Sequence, residues 1–306
     1  MVSEYIQKIK DFTRPFRRPI KRYWRNMLML HYPKKYAAIL FREQLGYSIN
    51  WKNPKDLNEK INWLAFNTDT TEWTRLSDKY KVREFVKERG CEELLIPLFG
   101  VWNSINEIRF DELPCEFAIK TNCGSGDTLL VNKCNVEWHE VLRKLQNTLN
   151  ERFGYKTAEP HYLRIQPKII AEKMLKPKRG KVVDYKVWCF NGNPYCFFTC
   201  SNRDIAAHTV DFNYYDLSWN CHNEYMSPSY RNEAEVEKPK TISKMLEYAK
   251  VLSKGFPQVR VDFYEVDEKI YFGEMTFTSL EGRMKCFTKD TLNKMGEQIV
   301  LPKKYK

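Results

Sequence analysis

No stretch of the 306 residues approaches the run of about 18 apolar residues that a membrane-spanning helix needs. The N-terminus carries charges where the apolar core of a secretory signal would lie, so a cytoplasmic protein is expected. The nine cysteines are odd in number and irregularly spaced, with no C-x-x-C pair, which argues against a disulfide framework and against a zinc cluster. Cys189, Cys196 and Cys200 stand in apolar runs and are expected in the core. The five histidines are scattered and propose neither a triad nor a metal site. Two further signatures are missing: the G-x-x-x-x-G-K-[ST] order of a P-loop and any D-x-D pair.

What remains is a chain that should fold. Apolar residues make up 42% and aromatics 14%, enough for two domains or for one domain with lobes. Its charge is unevenly placed. Residues 1–42 hold eleven Lys or Arg against Glu4 and Asp11, so +9 of the chain's +12 sits in these positions. There Arg14, Arg17, Arg18, Lys21, Arg22 and Arg25 alternate with Phe16, Tyr23, Trp24 and the apolar Met27 to Leu30. Such interleaving suits a segment lying on an anionic bilayer. Nucleic acid is the rival partner and the less favoured one, and a helix packed on the body is the third reading, because Pro15 and Pro19 interrupt a continuous amphipathic helix.

Further along, Asn53-Pro54 is expected to open an amphipathic helix through Leu57, Ile61 and Leu64, and a second is expected from Ser77 to Gly90. Glu116 to Lys120 reads as an apolar strand that ends in a lysine just before Gly124-Ser125-Gly126. A turn of small residues lets backbone N–H groups approach phosphate oxygens while a lysine supplies a mobile charge, although a plain structural turn fits as well. After a helix near 136–153, Pro167 to Leu175 reads as a buried strand. Val183 to Phe190 and Tyr195 to Cys200 read as an antiparallel pair joined through residues 191–194. Lys186 lies inside that pair, and an inward placement would require an anionic partner.

The last signal is a hairpin. Val259 to Phe263 alternates, Glu265 to Lys269 reads as a polar turn, and Phe272 to Thr276 returns, so that Asp262 and Glu274 face each other across it. Two such carboxylates can share a cation, or can simply be solvated.

Taken in order, Asp78-Lys79, Ile119-Lys120 with Gly124-Ser125-Gly126, Ala171-Glu172-Lys173-Met174-Leu175, Asp184-Tyr185-Lys186, Arg260-Val261-Asp262-Phe263 and Gly273-Glu274-Met275-Thr276 resemble the ATP-grasp fold. Several pieces look like those of D-alanine:D-alanine ligases. The fuller resemblance, from Asn53-Pro54 to Thr278, is to the TupA-like ATP-grasp family of bacterial polysaccharide and teichuronopeptide biosynthesis. It implies an α+β fold in which two lobes grip ATP between antiparallel sheets, preceded by a basic helical arm. The expected divisions are an arm over 1–52, a helical region over 53–115, and ATP-grasp subdomains over 116–175 and 176–306.

The resemblance also implies roles. Lys79, Lys120 and Lys186 would hold ATP phosphates, the Gly124-Ser125-Gly126 loop would close over them, and Glu172, Lys173 and Leu175 would line the adenine pocket. Asp262, Glu274 and Thr276 would hold Mg²⁺, and Arg260, with Lys186, would act on the reacting acyl group. The implied reaction joins an amine to a carboxylate through an acylphosphate, with a uronic acid of a surface polysaccharide as the expected carboxylate. A glycosyltransferase and a non-catalytic ATP-binding protein are the alternatives. This chain differs from its relatives at Cys123, where His is common, and at Thr278-Ser279-Leu280-Glu281-Gly282, where Thr-Pro-Gly-Ser-Gly is common.

Overall fold

Two helices, α1 over residues 23–31 and α2 over Pro33–Leu45, precede two antiparallel sheets in the computed structural model, which describes residues 23–204, 209–232 and 234–303. Of the basic arm, Arg14, Arg17, Arg18, Lys21 and Arg22 lie outside the described residues. Pro33 occupies the first turn of α2, where its missing N–H leaves no bond unmade, and Gly46 ends the helix at φ +79° with its N–H returned to the Arg42 carbonyl at 2.9 Å. Met29, Tyr36 and Ala37 pack against Ala158. In its described part, therefore, the arm packs on the body along one face.

The helix expected from Asn53-Pro54 starts later, as α3 (Leu57–Asn67), because Asp56 caps it and accepts from the Glu59 N–H at 2.9 Å. Leu57, Ile61 and Leu64 are its fully buried face, each contributing about 2 kcal/mol of burial. Of the helix expected from Ser77 to Gly90 only α5 (Val82–Glu88) forms, and α4 (Thr71–Ser77), which was not expected, ends where that helix was to begin. Asp78 divides them, since its Oδ1 accepts from the backbone N–H groups of Tyr80 and Lys81 and competes with the helical pattern. Lys79 consequently sits in a turn and not on a helix face.

The first sheet holds β1 (Leu98–Trp102), β2 (Glu116–Thr121), β3 (Leu129–Asn132) and β4 (Ile169–Lys173), in the order β1-β4-β2-β3. Between β3 and β4 run α6 (Trp138–Glu151) and the short α7 (Pro160–Leu163). Phe117, Ile119, Ile169 and Ala171 bury one face of the sheet against Val141 and Leu145 of α6. Strand alternation then places Lys120 and Glu172 on the other face.

The second sheet orders β5 (Asp184–Phe190), β6 (Asn193–Asp204), β7 (Thr209–Tyr215), β8 (Gln258–Val266) and β9 (Lys269–Thr276) as β7-β6-β5-β8-β9. Val187, Cys189, Val259, Val261 and Phe263 share a core with Met245, Ala249 and Leu252 of α8 (Ile242–Ser253), and α9 (Lys289–Glu297) packs on α3. Cys189, Cys196 and Cys200 are buried thiols, as expected. Both hairpin links are tighter than the sequence suggested. Asn191-Gly192 and Asp267-Glu268 each place two consecutive residues at positive φ, which matches the twist of paired strands and extends β6 back to Asn193. The architecture is α+β. Among the described residues no helix is long and apolar enough to cross a membrane.

Candidate active site

A row of three charged side chains crosses the middle of the second sheet. Lys186 on β5 is paired with Asp262 on β8, and Asp262 is paired with Glu274 on β9. That last pairing depends on a bulge: Asp262 opposes Glu274 while Phe263 opposes Phe272, so Gly273 is an extra residue on β9. Without it, the two-residue turn would set Asp262 opposite Gly273 and turn Glu274 toward the other face. Glycine fits this place, because a Cβ would stand in tight contact, 3.1 Å from the Asp262 carbonyl oxygen.

Arg260 ties the row together. Its Nε and Nη2 donate to the two oxygens of Asp262, both at 2.7 Å, and Nη2 is shared with Glu274 Oε1 at 3.1 Å and Thr276 Oγ1 at 3.0 Å. The Thr276 hydroxyl donates to Glu274 Oε1 at 2.8 Å, and Lys186 Nζ donates to Asp262 Oδ2 at 2.6 Å, with Asp184 Oδ2 3.7 Å away. From the turn between α4 and α5, Lys79 Nζ stands 3.8 Å from Glu274 Oε2 and donates to the Gly124 carbonyl, linking this sheet to the glycine loop of the other.

The charges set one another's ionisation. Burial would raise the Glu274 carboxyl, but Lys79, Arg260 and Lys186 outweigh it and hold the group down at about 2. Burial would lower Lys186 and Arg260; the Asp262 carboxylate, helped by Asp184 and Glu274 respectively, leaves both raised. Glu274, Lys186 and Arg260 are therefore charged through the physiological range. Asp184 belongs to the cluster although sequence reading left it without a role; its spacing of two from Lys186 on one strand was the available signal.

On the facing sheet Lys120 pairs with Glu172 across β2 and β4. The loop that follows is pinned at both ends. Asn122 is fully buried and exchanges bonds with Lys168 and Gln166, while Asp127 Oδ2 accepts from the Thr121 N–H at 2.9 Å and from the Thr121 hydroxyl. A Cβ on Gly124 would fall 2.4 Å from Asp127 Oδ2, so any side chain here would have to displace the Asp127 carboxylate from Thr121. Asn122 and Asp127 were not singled out from the sequence, although an Asn and an Asp framing a glycine turn are a known pattern of side-chain to backbone bonding. Beyond β4, a cavity of about 460 Å³ is bordered by Lys173, Leu175 and Lys176 on one side and by Val266, Asp267 and Tyr271 of the second sheet on the other. Of the three residues expected at an adenine pocket, Lys173 and Leu175 border this cavity, and Glu172 is held by Lys120.

The family model described as TupA-like ATPgrasp matches residues 59–300. The chain belongs to the TupA-like ATP-grasp family. Among solved structures it is similar to the D-alanine–D-alanine ligase of Bacillus anthracis complexed with ATP, at 13% identity and TM-score 0.41 over 80% of this chain and 66% of that one. It is likewise similar to the D-alanine–D-alanine ligase of Helicobacter pylori, at 15% identity and TM-score 0.42 over 80% and 64%. A third likeness is to the ATP-grasp ligase PsnB complexed with minimal precursor, at 11% identity and TM-score 0.40 over 76% and 62%. The chain thus spans less than two thirds of the length of these three enzymes. No curated protein matches it.

This ATP-grasp chain carries a second polar cluster where β9 ends. Arg260 Nη1 donates to Ser279 Oγ at 3.0 Å, and the turn Ser279–Gly282 continues through Leu280 and Glu281, both at positive φ. Thr278 donates to the buried Glu159 at the start of α7, whose second oxygen has no hydrogen-bond partner among the described residues. Arg283, also buried, donates to the Thr157 carbonyl at 3.1 Å and to Gln44 of α2 at 3.0 Å. Among the described residues His161 finds no partner for either ring nitrogen, and burial pushes it down to about 3, so it is neutral. No periodicity or motif marked Glu159 or Arg283.

Burial pushes the Glu159 carboxyl up to about 7, against the opposing Thr278 bond and Arg283 charge. Between the ordinary carboxyl range and that value the folded chain keeps a proton that the unfolded chain has lost. Stability should therefore fall as pH rises from about 4.5 to about 7, by on the order of 3 kcal/mol in all. Glu159→Gln is expected to flatten that fall and to raise the urea midpoint at pH 8 while leaving it little changed at pH 5. Equal pH dependence in the variant would assign the loss to other groups.

Proposed function

We propose that this protein is an ATP-dependent carboxylate–amine ligase. The observation that carries the reading is the Lys186–Asp262–Glu274 row gathered around Arg260, with Lys79 extending from it to the glycine loop of the facing sheet. Residues 116–175 and 176–306 are then the two gripping subdomains. Lys79, Lys120 and Lys186, now spent on internal carboxylates, have in ATP an alternative set of anionic oxygens. Lys173 and Leu175 border the space for adenine, beside Glu172, and the Gly124-Ser125-Gly126 turn brings backbone close to the phosphates.

The donor set suits a hard cation. Two carboxylates and a hydroxyl, with the remaining positions left to phosphate oxygens and water, match the preference of Mg²⁺ for few protein ligands, and among the described residues no three His, Cys, Asp or Glu side chains form a site of their own. Asp262, Glu274 and Thr276 would hold it, and its chemistry when bound is to offset the negative charge collected on the phosphates. Arg260, oriented by Asp262 and Ser279, would bind the acyl group as charge develops on its oxygens.

In the proposed reaction a carboxylate oxygen bonds to the γ-phosphorus of ATP and the bridging P–O bond breaks, releasing ADP. The amine nitrogen then bonds to the carbonyl carbon of the acylphosphate, the C–O bond to phosphate breaks, and phosphate leaves with one N–H proton. Closure of the glycine loop keeps water from that intermediate. The carboxylate is read as a uronic acid of a surface-polysaccharide precursor and the amine as an amino acid or similar compound, joined on the cytoplasmic side, with the basic arm against an anionic membrane surface in preference to nucleic acid.

Incubation with ATP, Mg²⁺, a uronic acid glycan and a mixture of amines tests the reading: amide and ADP in equal amounts are expected. Transfer of sugar from a nucleotide sugar, or ATP binding without turnover, would replace it. Lys120→Ala should weaken ATP binding about tenfold, as loss of one charge-assisted contact does. Titration calorimetry with ATP and Mg²⁺ checks this, and unchanged affinity would leave Lys120 as the structural partner of Glu172 alone.

A further inference from the structure

Twelve large apolar side chains stand exposed among the described residues, and five of them, Tyr23, Trp24, Leu30, Tyr32 and Ile39, fall within α1, α2 and the single residue between them. Scattered exposed apolar residues are ordinary; a concentration of this kind marks a surface that meets something. On α2 the stripe is regular. Lys35, Ile39 and Arg42 lie at helical spacing on the exposed side, opposite the buried Tyr36, Ala37 and Phe41, and the Lys35 ammonium stands 5.0 Å from the centre of the Tyr32 ring. Cations, aromatics and aliphatics thus share one face, with the exposed Glu43 beside them, and the described residues 23–45 hold four Lys or Arg against that one acid.

The opposite face of the same arm reaches the substrate end of the site. Gln44 accepts from Arg283 Nε at 3.0 Å and donates to the Arg283 carbonyl at 3.2 Å, and Arg283 closes the Ser279–Gly282 turn that Arg260 touches through Ser279. Met29, Tyr36 and Ala37 pack on Ala158, next to Glu159.

We propose that the exposed face of α1 and α2, with Trp24, Tyr32, Lys35, Ile39 and Arg42 at its centre, docks the protein on an anionic lipid surface and holds the 278–283 end of the cleft at the level of the headgroups. Charge complementarity selects the occupant. Anionic headgroups attract the cations while Trp, Tyr, Leu and Ile enter the boundary with the acyl chains. A nucleic acid would match the cations but would leave Leu30 and Ile39 exposed. The placement of the cleft beside the bilayer rests on the ligase reading, since it supplies a reason for the site to face a lipid-carried glycan. Lipid binding itself requires no turnover.

The test uses the full chain without ATP. Co-sedimentation with phosphatidylcholine vesicles is compared with that on vesicles containing phosphatidylglycerol, alongside Trp24→Ser with Ile39→Ser and, separately, Lys35→Glu with Arg42→Glu. Binding to the anionic vesicles is expected, weakened by added salt and at least about tenfold weaker in each double variant, with the thermal midpoint retained. Equal binding to both vesicle types, absence of binding, unaltered binding by both variants, or preference for a single-stranded oligonucleotide over vesicles would each overturn the proposal. A chain that binds vesicles and makes no amide would leave the docking face standing and remove the ligase.

Discussion

Glu274→Gln is expected to lower turnover by about 10²- to 10³-fold, the range seen when one electrostatic element of a preorganised site is removed. The substitution is close to isosteric and keeps an oxygen for Thr276 to donate to. It removes one negative charge from a group surrounded by Lys79, Arg260 and Lys186. The carboxyl ionises at about 2, so wild type carries that charge at every pH at which the protein would be assayed, and the loss should be independent of pH. With 38% of the side chain exposed, solvent screens part of these attractions and only a modest loss of stability is expected. Steady-state rates of ADP release together with a urea titration check both halves. Near-normal turnover would remove the metal assignment from Glu274, whereas a large drop in stability would mean that the residue's role is structural.

Arg260→Ala should fail in both respects. The guanidinium is nearly buried and serves Asp262, Glu274, Thr276 and Ser279 at once, so its removal leaves the buried Asp262 with Lys186 as the cation in hydrogen-bond contact with it. Loss of one member of a buried charge pair costs about 3 kcal/mol at the lower end of the observed range, and the remaining Lys186 contact places this case there. Turnover should fall beyond about 10²-fold, because the acyl group loses its cation and the Ser279 turn loses its anchor. Arg260→Lys separates the two effects: a lysine restores charge beside Asp262 and hence part of the stability, but cannot reproduce the forked contact, so turnover should stay low. If Arg260→Lys recovered full turnover, charge alone would account for the residue.

Much of this protein could be read along the chain because local patterns record burial. The alternation in Val259 to Phe263 reports a strand with one face on α8, and the apolar spacing of Leu57, Ile61 and Leu64 reports a helix with one buried face. An inward Lys186 was expected to require an anionic partner, and Asp262 accepts from it at 2.6 Å. Where a local polar bond competes with periodicity the reading slipped, as at Asp78, whose carboxylate holds a turn where the helix from Ser77 was expected and delays its start to Val82.

The hairpin itself separates what the sequence determined from what tertiary structure decided. Alternation and turn composition were enough to place Asp262 and Glu274 on adjacent strands. They were not enough to place them on one face: the two-residue turn at Asp267-Glu268 gives a register that would set them on opposite faces, and the bulge at Gly273 corrects it. The contacts Lys79–Glu274, Glu159–Thr278 and Gln44–Arg283 join segments far apart in the chain, and no periodicity encodes them. Residue spacing determines which way a side chain leaves its own helix or strand. What it meets is set by strand register and by how the two sheets and the arm pack, where many contacts of about 1 kcal/mol are satisfied together.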